Sequence, residues 1–303
     1  MYDLVVIGNP SFDHIVSQGT DMSRTLSGSA AYSIVTATKT GLESIAVIGA
    51  LGSDFVMRFR EALGALGVPE HFTLESKTTL GFEVETHSDG ESLLRRCIDV
   101  GGRIGVGSIP DEFLAARAIL LSPMLREIDD EFIQWICNSS DASVWLDPSM
   151  LTADSGGTVK PISNFEGFEK TQCILDYIQM NEHEAAMFTG ESDPLVAAEL
   201  LVDMVAEHCI LTLGADGALL YDGEGFTTIS AYATTPVDTY CAGSVHFAGY
   251  LTSILAEQTE SSALATATAL ASIRIEKPGL DFDFNPSEVS HRVLSVEETI
   301  THR

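Results

Sequence analysis

The stretch Val237–Leu251, VDTYCAGSVHFAGYL, holds the densest chemistry in this chain. Cys241, Ala242 and Gly243 are small, so the backbone there can approach an anion closely. The apolar, helix-like pattern that follows would offer N-terminal amides and a favourable dipole to negative charge. Ser244 stands at the helix mouth, where it also suits a plain N-cap. Asn181 and Glu184 stand at i and i+3 on one helical face, a spacing that can organise Mg2+ through waters. It serves equally as a cap with an acidic first turn. Asp13 offers a carboxylate able to accept two O–H bonds, with Asn9 close by, although an Asx turn would use the same residue type. Thr212, Gly214 and Gly217 lie in LTLGADGALLY, which by itself reads as a hairpin turn.

Other features carry less. GGRIGVG (101–107) neither follows a buried strand nor opens a clear helix, so it reads as a loop. The eight His residues show no metal-ligand spacing, and adjacent-turn geometry points His246 away from Ser244. A Ser nucleophile would need a His/Asp partner pattern that is not visible.

The elements that must hold these residues alternate along the chain. Apolar runs at 3–8, 44–51, 118–123, 142–148, 173–181 and 208–214 read as buried strands, covered on both faces. Helix-like segments fall at 29–41, 54–67, 129–140, 181–190 and 193–207, several ending at a C-cap Gly. This rhythm implies right-handed crossovers and an α/β sandwich. Residues 77–97 break it: alternating polar and apolar residues turning at Ser88-Asp89-Gly90 predict an antiparallel hairpin, a natural lid to which 9–19 can add strands. The polar motifs fall just after strands, which places them on one rim of an open sheet. We expect a single domain over 1–303, with lid segments near 9–27 and 77–100.

Composition narrows the partners. The 303 residues carry 16 basic and 44 acidic side chains, a net charge of -28, and are 45% hydrophobic. Such a field repels nucleic-acid backbones and anionic lipid, and it fits either a salt-rich cytosol or an ordinary acidic enzyme. Five cysteines without a CxxC pair predict free thiols in a reducing compartment. The strand at the N-terminus leaves no room for an export signal, and no apolar run reaches the ~18 residues of a membrane span. The expectation is a soluble, cytoplasmic protein. An exposed lid edge could also pair two copies into a homodimer.

Asp238-Thr239-x-x-Ala242-Gly243, followed by Ala248-Gly249, resembles the C-terminal signature of the ribokinase/PfkB family of sugar and nucleoside kinases, DTxGAGD and then AxxAG. LSGSAAYS (26–33) resembles its N-terminal Gly-Gly motif, with Gly28 kept and Ser29 at the second Gly. VIGALGSDF (47–55), LSPMLREI, Asp147-Pro148, NEHEAAMFTG, LTLGADGALLY and ALATATALASIRIEKPG (263–279) follow in the family's order. The resemblance implies a three-layer α/β/α sandwich with a mostly parallel sheet and a small β-lid. It implies transfer of the γ-phosphoryl group of ATP, with Mg2+, to a small-molecule hydroxyl. Asn9, Asp13, Gly28, Ser29 and Ser33 would then face the acceptor, Ser33 standing where Asn is common. Asn181, Thr212, Gly214, Gly217 and Cys241 would face the nucleotide, with Glu184 on Mg2+ through water. Ala242 and Gly243 would form the anion hole, and Asp238 would hold a monovalent cation such as K+. Cys241 replaces a Gly and is tolerable there at negative φ.

The resemblance also makes Ser244 conspicuous, because the family has its general base, an Asp, at this position. Loss of such a base costs roughly 10²–10⁴ in rate, yet phosphoryl transfer rests chiefly on positioning and charge stabilisation. Two expectations follow. One is an impaired small-molecule kinase, favoured by Asp13, Asn181 and Glu184. The other is an inactive pseudokinase that binds nucleotide or sugar as a sensor or scaffold, favoured by Ser244 and Ser33.

Overall fold

In the computed structural model the described residues are 1–17, 20–68, 71–149, 151–154, 156–161 and 174–303. Strand β1 (Tyr2–Ile7) enters the core at once, and β2 (Ser11–Ser17) and β3 (Thr20–Ser27) return over it. Then come α1 (Ser29–Lys39), β4 (Ile45–Gly52), α2 (Val56–Ala65) and β5 (His71–Ser76). The hairpin β6 (Gly81–Thr86) and β7 (Ser92–Asp99) precedes α3 (Asp111–Leu114), β8 (Ala116–Leu121), α4 (Asp130–Ser139) and β9 (Ser143–Leu146). Two short strands, β10 (Leu151–Ala153) and β11 (Val159–Pro161), pair antiparallel. The second half runs β12 (Leu175–Asn181), α5 (Glu182–Thr189), α6 (Pro194–Met204), β13 (Ala206–Thr212), β14 (Ala218–Tyr221) and β15 (Phe226–Ile229). It closes with α7 (Ala242–Leu255), α8 (Glu260–Arg274), α9 (Pro286–Glu297) and β16 (Thr301–His302).

The main sheet has ten strands in the order β16-β15-β14-β13-β12-β9-β8-β1-β4-β5. It is parallel from β13 to β5 and antiparallel from β13 to β16. Alternation along each strand feeds two cores. Leu4, Val6, Ile45, Val47, Ala118 and Leu120 pack under α1, α2, α7 and α8, whereas Val5, Ile7, Ala46, Ile48, Ile119 and Leu121 pack under α3 to α6. This is the three-layer α/β/α arrangement the family resemblance implies, with the sheet covered on both faces as the apolar runs predict.

A separate four-stranded sheet, ordered β3-β2-β6-β7, forms from the two segments that interrupt the rhythm. Its own small core of Ile15, Leu80, Phe82, Val84 and Cys97 rests on Met124. The hairpin turn docks on the stretch before α7: Thr239 N–H donates to the Gly90 carbonyl at 3.0 Å, and Ser92 Oγ donates to Asp238 Oδ1 at 2.8 Å.

Thiol state departs in part from expectation. Cys97, Cys209 and Cys241 are free, but Cys137 is disulfide-bonded. Cys173 lies outside the described residues. Among the described residues no helix is long and apolar enough to cross a membrane.

Candidate active site

The mouths of α4, α5, α6, α8 and α9 are closed by Asp129, Asn181, Asp193, Thr259 and Asn285, each accepting a backbone N–H. No side chain caps α1, α2, α3 or α7; α1 starts after Gly28 at φ +89 and α7 after Cys241 at φ +55. Cys241 therefore does not keep the negative φ expected of it. It holds the left-handed conformation for which glycine is suited, at a cost of roughly 1–2 kcal/mol. The Ala242 N–H, expected to help form an anion hole with Gly243, is taken by the Thr239 carbonyl at 3.1 Å. The amides of Gly243 and Ser244 have no intrahelical acceptor by helix geometry.

Around this mouth lie three carboxylates, two of them buried. Asp147, just past β9, accepts a hydrogen bond from Ser244 Oγ at 2.7 Å, and both residues are buried. Burial pushes the Asp147 carboxyl up to about 6, against the lowering effect of that hydrogen bond. Glu184 is half-buried, yet desolvation, reinforced by the charge of Asp147, raises its carboxyl to about 8 despite the Asn181 N–H it accepts. Asp13 is fully buried; its Oδ1 accepts the Phe82 N–H at 2.9 Å. Desolvation raises it to about 6, while the hydroxyls of Ser27, Ser11 and Tyr240 face it without closing a hydrogen bond to Oδ2. Cys241 feels the charges of Asp13, Arg274, Asp147 and Asp238 together, and burial pushes its thiol well up.

The remaining predicted residues sort around this centre. Asn9 is buried and ties three segments: its N–H donates to Glu127 Oε1, its Nδ2 to the Gly102 carbonyl, and its Oδ1 accepts from Ala50 N–H. Gly28 lies against Ser11, whose Oγ a Cβ would meet at 2.9 Å. Ser29 Oγ donates to Met124 Sδ, and Ser33 is buried with its Oγ unpartnered. Asn181 and Glu184 form a reciprocal capping box, so the capping role local chemistry allowed is present in full. Thr212 sits beside Asn181 in register, and Gly214 and Gly217 bracket the 3-10 turn that follows β13. They share the rim, and among the described residues no hydrogen bond links them to the Ser244 cluster.

Asp238 does not fit an alkali cation. Its carboxylate takes the Arg274 guanidinium at 2.9 Å, Ser92 Oγ, and the N–H groups of Tyr240 and Gly279. Sequence reasoning passed over Arg274, which reads as an ordinary basic residue in the last turn of a helix. It also passed over Gln179, a lone amide in an apolar strand, whose Nε2 lies 3.1 Å from where a Cβ on Gly243 would stand. The polar interruption in that strand was the available signal.

A cavity of about 420 Å³ opens where strand order reverses around β1, lined in part by Asn9, Leu80, Gly101, Arg103, Arg126 and Glu127. Such a switch point is where open α/β sheets bind ligands. Glu127 is buried and accepts the N–H groups of Asn9, Met124 and Leu125; desolvation raises its pKa against those bonds. It thereby fixes the cavity wall.

Similarity to known proteins follows the same lines. A cytidine kinase of Thermococcus kodakarensis is 26% identical over 257 residues, covering 83% of this chain and 88% of that protein. In structure, the chain resembles a pyrophosphate-dependent kinase in the ribokinase family, complexed with a pyrophosphate analog and myo-inositol (TM-score 0.78, 20% identity, 95% and 99% of the two chains). It also resembles an Arabidopsis thaliana ribokinase complexed with ribose and ATP (TM-score 0.72, 21% identity, 97% and 99%). At those identities the two structures establish the ribokinase fold. The profile of the pfkB family carbohydrate kinase matches residues 110–287, more than half of the sequence, and the chain belongs to that family.

Proposed function

We propose that this protein is an ATP- and Mg2+-dependent kinase for a hydroxyl of a small sugar, nucleoside or polyol, with Asp147 acting through Ser244 in place of the missing carboxylate. The observation that carries this reading is the 2.7 Å hydrogen bond from Ser244 Oγ to Asp147 Oδ2 at the open mouth of α7. A serine hydroxyl alone is too weakly basic to take a proton at neutral pH. A serine whose hydroxyl already points at a buried carboxylate can accept a proton on Oγ while passing its own to Asp147.

The step balances within these groups. The acceptor O–H gives its proton to Ser244 Oγ, and the Ser244 proton moves to Asp147 Oδ2. The freed oxygen bonds to the γ-phosphorus as the bond to the bridging oxygen breaks and ADP leaves. The amides of Gly243 and Ser244 meet the charge on the transferring phosphoryl group. Asp13, with its unpartnered Oδ2, grips the acceptor, and the cavity at the switch point receives the rest of it. The desolvated, mutually repelling carboxyls of Asp147 and Glu184 suit a hard divalent ion, which takes one or two carboxylates plus waters and phosphates. Glu184 would hold Mg2+, which when bound neutralises charge on the donor phosphates.

The test is transfer from ATP, and separately from pyrophosphate, to a panel of sugars, nucleosides and polyols. Transfer from ATP to at least one acceptor is expected. If wild type is silent and Ser244→Asp gains transfer, the native chain is a pseudokinase. If only pyrophosphate serves, the donor assignment fails while the acceptor chemistry stands.

A further inference from the structure

The Arg274 side chain is the most deeply buried basic group among the described residues, with 0% of its surface exposed. Its Nη1 donates to the Asp238 carbonyl at 3.0 Å and the Lys277 carbonyl at 2.7 Å. Its Nη2 donates to Asp238 Oδ2 at 2.9 Å, the Tyr240 carbonyl at 2.8 Å and the Tyr32 hydroxyl at 3.0 Å. The guanidinium carbon also lies 4.7 Å from the Tyr32 ring centroid. Burial works against its charge, but Tyr32 and Asp238 outweigh that, and the group stays protonated.

Backbone carbonyls and one carboxylate form the kind of oxygen set that replaces an alkali ion's hydration shell. Here every one of those oxygens is taken by a covalently tethered cation. Apart from the Lys277 carbonyl, the set is built from the loop that ends in the strained Cys241 and opens α7. A planar fork with several fixed donors can define that loop's path more completely than a point charge.

We infer that Arg274 is a built-in substitute for a monovalent cation: its guanidinium positions the Asp238–Cys241 loop, and the protein works without K+. Arg274 is a positioning residue, acting through the carbonyls of Asp238 and Tyr240 on the amides of Gly243 and Ser244. The rate arm of the test rests on the kinase reading above, whereas the binding and melting arms do not.

The experiment compares wild type, Arg274→Lys and Arg274→Ala in KCl, NaCl and choline chloride at equal ionic strength, each with and without millimolar guanidinium. Thermal unfolding, ATP binding and phosphoryl transfer are read in parallel. For wild type, all three readouts should agree within about twofold between K+ and choline. Arg274→Ala should lose at least tenfold in ATP affinity, and K+ or guanidinium, but not choline, should restore affinity and raise its melting temperature. Arg274→Lys should fall between them. Wild type that binds ATP tenfold better in K+ than in choline would overturn the inference. So would an Arg274→Ala protein that folds but responds to no small cation. If Arg274→Ala does not fold, the wild-type cation series and Arg274→Lys decide. A wild type that is cation-independent in binding and melting but transfers nothing refutes the kinase reading alone.

Discussion

At the residue scale, the central finding is that Ser244 is not an isolated loss. Its hydroxyl is committed to Asp147, a carboxyl that burial holds at about 6. Sequence could align Ser244 with the last residue of the family's motif and put Asp147 at a strand end, but not 2.7 Å apart. Their separation of 97 residues is closed only by the sheet. Cys241 shows the opposite limit: its position was legible, its backbone conformation was not. With φ at +55, a β-branched side chain there is a severe mismatch. Cys241→Val should destabilise the protein by about 1–3 kcal/mol, whereas Cys241→Gly should be neutral or stabilising; urea unfolding of both variants checks this.

At the element scale, the hairpin of β6 and β7 is fastened by its turn to the stretch that opens α7. Gly90 makes the contact possible. It holds φ +84, and a Cβ there would lie 2.4 Å from the Pro236 carbonyl oxygen. The turn was legible from Ser88-Asp89-Gly90; its docking partner, 146 residues further on, was not. Gly90→Ala should free the turn from Thr239 and Asp238, and hydrogen exchange at the Thr239 amide should rise at least tenfold with the α7 amides unchanged. Unchanged protection at Thr239 would mean the turn is not what holds that stretch. The strands and crossover helices were the easiest part to read, because a sheet buried on both faces writes continuous apolar runs into its sequence. The Asn181–Glu184 pair was legible as a spacing, but only coordinates reveal that it closes a capping box.

At the scale of the whole molecule, 44 acidic side chains against 16 basic ones set the pH behaviour. Asp13 and Asp147 rise to about 6 and Glu184 to about 8 on folding. The native state therefore binds protons that the unfolded chain has released, so stability from these groups is full below about pH 4 and is lost as pH climbs toward 8. General self-repulsion acts in the same direction. The melting temperature without divalent ions should fall from pH 5 to pH 8, and salt should recover part of the loss at pH 8 by screening. A melting temperature that rises across that interval would mean these carboxyls are not desolvated in solution.

The claim on which the account turns is that Asp147 takes the acceptor's proton through Ser244. The most direct measurement is the pH dependence of phosphoryl transfer from ATP by wild type and Asp147→Asn, with ATP binding measured alongside. We predict a wild-type rate that rises through about pH 6 and then levels. Asp147→Asn should be slower by roughly 10²–10⁴-fold, lack that rise, and bind ATP within a few-fold of wild type. An Asp147→Asn protein that transfers at the wild-type rate, with the same pH profile, would contradict the account.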